Sequence, residues 1–251
     1  MEDTLRILVA FGLTLLLVLL RADAERFGAA EYDEPRGGRM PSLRRRVAWY
    51  LLGIGGVLAV TWIHPASETG LYVGLGDRLG AISLGLLLGF AGAGQAAAVA
   101  WYHYSHLRLP DPRAYPGALL NEIATAFVDE AVFRGALLGA VVAFGVDPMV
   151  AIVIVTLAYA LATRLGAPGR DRYMFGLAIV IGLVGGWATV ITGGFAAAFI
   201  GHAVTRVAVF LTTGHAGQPA PPGLEVEDVE RRRRIPEGWR VVGSRDAGRG
   251  R

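Results

Sequence analysis

The chain has 251 residues, 53% of them hydrophobic, with a formal net charge of +3 and every basic residue an arginine. It contains no cysteine, which excludes disulfides, thiolate metal sites and cysteine nucleophiles. A pI near 9.5 invites a nucleic-acid reading, but the arginines lie where membrane topology places them and no recognition motif accompanies them. A mean hydropathy of +0.46, with the apolar residues gathered into long runs, predicts a polytopic helical membrane protein of all-α class.

The first apolar run covers residues 5–20. Glu2 and Asp3 precede it, and Arg21, Arg26, Arg36, Arg39 and Arg44 to Arg46 follow. A signal peptide has its basic residues in front, so this run reads as an uncleaved anchor with its N-terminus outside. Residues 1–46 then form an anchor helix with a cytoplasmic loop. Residues 47–63 run outward, 65–79 form a Gly-containing external connection, and 80–102 return to an aromatic belt of Trp101, Tyr102 and Tyr104.

The loop from His106 to Pro116, with three prolines and two arginines, reads as cytoplasmic. Residues 118–144 go out, 149–165 come in, 174–191 go out and 195–212 come in. That makes about seven spans, with residues 47–212 as the membrane bundle and the arginines gathered on one side. The tail, 213–251, is polar and arginine-rich, carrying Arg231 to Arg234, and reads as a disordered cytoplasmic segment. Gly85, Gly89 and Ala93, and likewise Ala178, Gly182 and Gly186, make small-residue stripes that predict close helix packing within the bundle.

The fourth span departs from this apolar pattern. Residues 128–135 read V-D-E-A-V-F-R-G. A charged side chain at bilayer depth costs at least ~2.5–3.5 kcal/mol, so Asp129, Glu130 and Arg134 must pair, face a wet cavity or hold a cation. Glu122, Ala126, Glu130 and Arg134 recur every four residues and share one helix stripe. Tyr159 and Thr163 on the fifth span, and His202 and Arg206 on the seventh, are the polar groups able to meet them. Glu122 and Asn121 fall near the inner interface, where solvation would suffice. His103 and His106 read as interfacial, with a marginal chance of supplying a ligand.

The stretch D-E-A-V-F-R-G at 129–135 resembles the E-E-x-x-x-R motif of the CPBP family, the CAAX-prenyl-protease and bacteriocin-immunity proteins. Y-A-L-A-T at 159–163 corresponds to the family's F-x-x-x-H, and H-A-V-T-R at 202–206 to its H-x-x-x-N or D. Order, spacing and placement on late spans agree over residues 118–212.

The resemblance implies a cytoplasm-facing intramembrane endopeptidase acting on a membrane-associated peptide or protein; the composition reads as prokaryotic, and the membrane as the plasma membrane. Carried over by position, Glu130 is the general base, Asp129 and His202 are ligands or orienters, and Arg134 fixes the carboxylates. Zinc or another divalent metal on Asp129, Glu130 and His202 is the implied cofactor.

Three departures stand against the pattern: Asp129 for a glutamate, Thr163 for the second histidine and Arg206 for the asparagine or aspartate. They raise a second possibility, in which Arg206 neutralises Asp129 or Glu130 and no ion is needed. A non-catalytic family member binding a membrane partner, as an immunity or scaffold protein would, is the alternative function. A proton-coupled transporter using Asp129, Glu130 and His202 as a relay is a more distant one.

Overall fold

The computed structural model describes residues 2–29, 43–104, 107–110, 116–166, 172–213 and 239–242. Its helices are α1 (Glu2–Ala22), α2 (Ala24–Phe27), α3 (Leu43–Ile63), α4 (Ser67–Gly70), α5 (Arg78–Tyr104), α6 (Pro116–Glu130), α7 (Leu138–Ala143), α8 (Pro148–Gly166), α9 (Arg172–Thr192) and α10 (Ala196–Thr213). Among the described residues five helices, α1, α3, α5, α8 and α9, are long and apolar enough to cross a membrane. At 1.5 Å per residue the 21 residues of α1 reach roughly 30 Å, the thickness of the hydrocarbon core. The other two expected spans differ for physical reasons. α10 offers a shorter apolar stretch, residues 196–212, and the rod from Pro116 to Ala143 carries the charged cluster.

The long rods alternate in direction. Arg6 Nε at the start of α1 donates to the Ile63 carbonyl at the end of α3 (3.0 Å), and Trp49 Nε1 donates to the Leu20 carbonyl at their opposite ends (3.0 Å). The predicted small-residue stripes do pack inside the bundle. Gly85 and Gly89 of α5 lie against Ile200 and Val204 of α10, and Gly182 and Gly186 of α9 lie against Thr156 and Ile152 of α8. Gly92, one position from the expected Ala93, completes the α5 face against Thr205. Bare Cα atoms at these positions let backbones approach where lipid supplies no hydrophobic drive for association.

One rod is not a regular helix. Directly after Glu130 the backbone widens into a π-helical segment, Ala131–Leu137, before α7 resumes α-helical geometry. Such widening is costly and concentrates at functional sites. The extended strap around Tyr72 stitches this rod to α10. Tyr72 N–H donates to the Gly135 carbonyl (3.0 Å), and Phe195 N–H donates to the Tyr72 carbonyl (3.1 Å). The strap is anchored where Asp77 N–H meets the Thr192 carbonyl (2.7 Å), just before Gly193, whose φ of 72° ends α9 in the left-handed region.

Two short strands, β1 (Leu107–Pro110) and β2 (Trp239–Val242), pair antiparallel with Leu107 opposite Val242. The tail, expected to be disordered, thus contributes one strand; its other residues lie outside the described set.

Candidate active site

The buried charges of α6 and its π segment meet α1, α8, α9 and α10 in one cluster. Glu130 is fully buried, and its Oε1 accepts from His202 Nδ1 at 2.7 Å. This contact assigns the proton to Nδ1 and leaves Nε2 as the nitrogen not committed to Glu130. The other carboxylate oxygen, Oε2, faces Arg134 Nε at 3.2 Å. The Arg134 guanidinium in turn lies 4.3 Å from the centroid of the Tyr159 ring, a cation–π contact in a dry environment. Tyr159 packs edge-on against Phe133, and its ring centroid lies 6.2 Å from that of His202. Glu130, Arg134, Tyr159 and His202 are therefore brought together as expected.

Asp129 is also fully buried but has a partner that the sequence did not suggest. Arg21, in the last turn of α1 and 2% exposed, places Nε 2.7 Å from Asp129 Oδ1. The oxygen does not lie along an N–H direction, so this is a charge contact rather than a formed hydrogen bond. Gly166, at the end of α8, packs beside it; a Cβ there would stand 3.2 Å from Arg21 Nη1.

The expectation that Arg206 neutralises Asp129 or Glu130 is not met. Arg206 Nε donates to Glu122 Oε2 at 2.8 Å, because α10 runs antiparallel to α6 and the His202–Glu130 contact sets the register. Glu122 and Asn121 are also not solvated interface residues. Both are buried: Asn121 Oδ1 accepts from Tyr50 Oη at 2.7 Å, and Asn121 Nδ2 reaches Glu122 Oε1 at 3.4 Å. Thr163 is buried near the cluster, but among the described residues its hydroxyl has no hydrogen-bond partner. His106 and the side chain of His103 lie outside the described residues.

The donor set suits a divalent cation poorly. Glu122, Asp129 and Glu130 each already face a guanidinium, that of Arg206, Arg21 and Arg134 respectively. Among the described residues no three His, Asp or Glu side chains converge as an ion would require. With Asp129 turned to Arg21, the expected ligand trio of Asp129, Glu130 and His202 reduces to the Glu130–His202 pair.

Beside that pair a cleft of about 490 Å³ opens between α5, α9 and α10. His202, Thr205 and Gln95 bring its few polar groups; Leu88, Val180 and Val184 are among its apolar walls. Gly185 of α9 forms part of the wall where a side chain would cover the charges behind. A Cβ there would lie 3.6 Å from Arg134 Nε and 3.7 Å from Glu130 Oε2.

Two contributors are hidden at the level of sequence. Arg21 is masked by its position, since arginines normally flank an apolar span. Gly185 is masked by the many other small residues of α9.

Residues 112–208 match the family described as type II CAAX prenyl endopeptidase Rce1-like. No curated protein and no solved structure matches the chain. The matched segment contains Asp129, Glu130, Arg134, Tyr159, Thr163, His202 and Arg206, while α1 with Arg21 and the helices through α5 lie outside it. The resemblance carried by D-E-A-V-F-R-G and H-A-V-T-R is thereby met by an independent finding. Residues 112–208, set among the apolar helices of a multi-pass membrane protein, are thus similar to the Rce1-like type II CAAX prenyl endopeptidases.

Proposed function

We propose that the chain is an intramembrane endopeptidase in which His202 is the general base and Glu130 its orienting carboxylate. The observation that carries this is the 2.7 Å contact from fully buried Glu130 to His202 Nδ1, combined with the position of His202 on the cleft wall. A carboxylate on one imidazole nitrogen fixes the tautomer, so the other nitrogen can take a proton from water. Sequence position alone gives the base role to Glu130. Its oxygens face His202 and Arg134, however, and it has no exposed surface from which to reach water directly.

In this reading a water in the cleft gives its proton to His202 Nε2 and its oxygen adds to the carbonyl carbon of a peptide bond. The oxyanion is stabilised by the Arg134 guanidinium, whose Nη1 and Nη2 have no acceptor among the described residues. Collapse breaks the C–N bond, and the leaving amine recovers the proton from His202. Gly185 supplies the opening through which the charged pair acts on the cleft.

The apolar walls suit a peptide joined to a lipid-soluble group or helix. The arginine-bearing ends of α1, α3 and α8 lie at one end of the bundle, and the positive-inside rule puts that end in the cytoplasm and the N-terminus outside.

The test uses the full chain in lipid vesicles with peptides carrying a hydrophobic anchor, and new amino termini are read by mass spectrometry. Cleavage by the wild type that is lost in His202→Gln and in Glu130→Gln, with folding retained, is the expected result. Cleavage that survives His202→Gln removes the proposed base.

A second reading is a non-catalytic binding protein. It is favoured by the pairing of every acid in the cluster with an arginine, an arrangement that also suits a purely structural core. Absence of cleavage across the anchored-peptide panel, with the same peptides still bound, selects it.

A further inference from the structure

We infer that Arg21 is the resident cation of this centre, delivered by a helix outside the family domain, and that the centre is charge-balanced without a divalent ion. Three buried carboxylates, of Glu122, Asp129 and Glu130, face three buried guanidiniums, of Arg206, Arg21 and Arg134. These six side chains together carry no net charge. A divalent ion would leave them at +2 in a low-dielectric interior, where uncompensated charge is most costly.

The polar atoms left over point the same way. All three Arg21 nitrogens and Arg134 Nη1 and Nη2 are buried donors without a hydrogen-bond acceptor, against the Asp129 Oδ1, Asp129 Oδ2 and Glu130 Oε2 carboxylate oxygens without a hydrogen-bond donor. A surplus of N–H donors calls for an oxygen atom, from water or a substrate carbonyl, and repels a metal. The space for Arg21 is built into the fold. The bare Cα of Gly166 lets the end of α8 approach the Arg21 backbone carbonyl and its guanidinium, and the last turn of α1 is where a cation also complements the helix dipole.

Arg21 is therefore a positioning residue: it holds Asp129 on the α1 side of the cluster, away from the Glu130–His202 pair. This inference concerns charge and does not rest on turnover, so it stands or falls separately from the proposed protease activity.

The full chain in detergent is titrated with Co²⁺, whose visible absorption reports tetrahedral ligation, and with Zn²⁺ followed by elemental analysis. The wild type is expected to retain neither metal stoichiometrically. One tightly held equivalent in the wild type, lost on Asp129→Asn, overturns the inference.

In parallel, Tm is measured for Arg21→Met, Asp129→Asn and the double variant. Each single change is expected to lower Tm because it leaves a buried charge alone, and the double change to recover most of that loss. Losses that simply add overturn the pairing. If neither single variant folds, a double variant that does fold supports the pairing and one that fails overturns it. Arg21→Lys, which keeps the charge, should hold Tm above that of Arg21→Met; equal values for the two also overturn it.

Discussion

Replacing Arg206 with methionine should destabilise the bundle by about 3 kcal/mol, near the lower end of the range for breaking a buried ion pair. The wild-type contact is Nε to Glu122 Oε2 at 2.8 Å, with Arg206 8% and Glu122 2% exposed. At an effective dielectric of ~20, unit charges at that separation attract by about 6 kcal/mol, and most of this offsets the desolvation of two ions. Arg206→Met removes the attraction but leaves Glu122 desolvated, with the long 3.4 Å contact from Asn121 as its nearest substitute. The low end applies because Arg206 keeps slight solvent access. The double variant Glu122→Leu/Arg206→Met abolishes both charges and should fall within about 1 kcal/mol of the wild type. Equilibrium unfolding in mixed micelles, monitored by tryptophan fluorescence, measures all four corners of the cycle. An Arg206→Met protein within about 0.5 kcal/mol of the wild type would refute the reasoning, since a surface-type ion pair behaves that way.

Gly185→Val should close the opening between the cleft and the Glu130–Arg134 pair, because a Cβ there would already stand 3.3 Å from Ala198 Cβ, 3.6 Å from Arg134 Nε and 3.7 Å from Glu130 Oε2. Peptide cleavage is expected to fall on the order of 10²-fold while Tm changes modestly, and unchanged cleavage would show that the gap is irrelevant. Gly89→Leu should loosen α5 from α10, its Cβ lying 2.7 Å from that of Val204, at about 1–3 kcal/mol read by unfolding. His64, just beyond the end of α3, gives a pH signature. Burial, reinforced by the Arg6 guanidinium, holds its imidazole below the usual 6.5. The unfolded chain then binds more protons, so stability is fully present above about pH 6.5 and declines as pH falls below it. In His64→Gln that decline should shrink, as measured by Tm from pH 7.5 downward to about 5; identical curves for the two proteins would contradict the assignment.

The membrane architecture was legible because the apolar runs of helical length are too numerous for an aqueous core to bury, and lipid is the solvent that accepts them. The charged cluster was legible for the converse reason, since Asp129, Glu130 and Arg134 violate the surrounding composition. The pairing was harder to read. Arg21 sits in the last turn of α1 and Glu122 near the expected inner interface, both places where solvation accounts for a charge, and only tertiary packing buries them. The partner of Arg206 could have been deduced from geometry. Once His202 meets Glu130 on antiparallel helices, four residues onward on α10 must run back along α6 toward Glu122. The π segment left no trace in sequence. A-V-F-R-G-A-L is compatible with an ordinary α-helix, and the widened turn is settled by its neighbours, including the Tyr72 N–H that takes the Gly135 carbonyl.

The departures from the family motif form one coherent set when charge is followed. Thr163 brings a hydroxyl where the pattern has a metal-competent imidazole, and Arg206 brings a cation where it has an asparagine or aspartate. Both changes lower the affinity of the site for a positive ion. Asp129, shorter by one methylene than the glutamate it replaces, draws its carboxylate back toward its own helix, and Arg21 of α1 meets it there at 2.7 Å. The Glu130–His202 contact lies beside the cleft. That contact gives the buried Glu130 carboxylate a hydrogen-bond partner and, in the proposed reading, also orients His202 for hydrolysis by activated water.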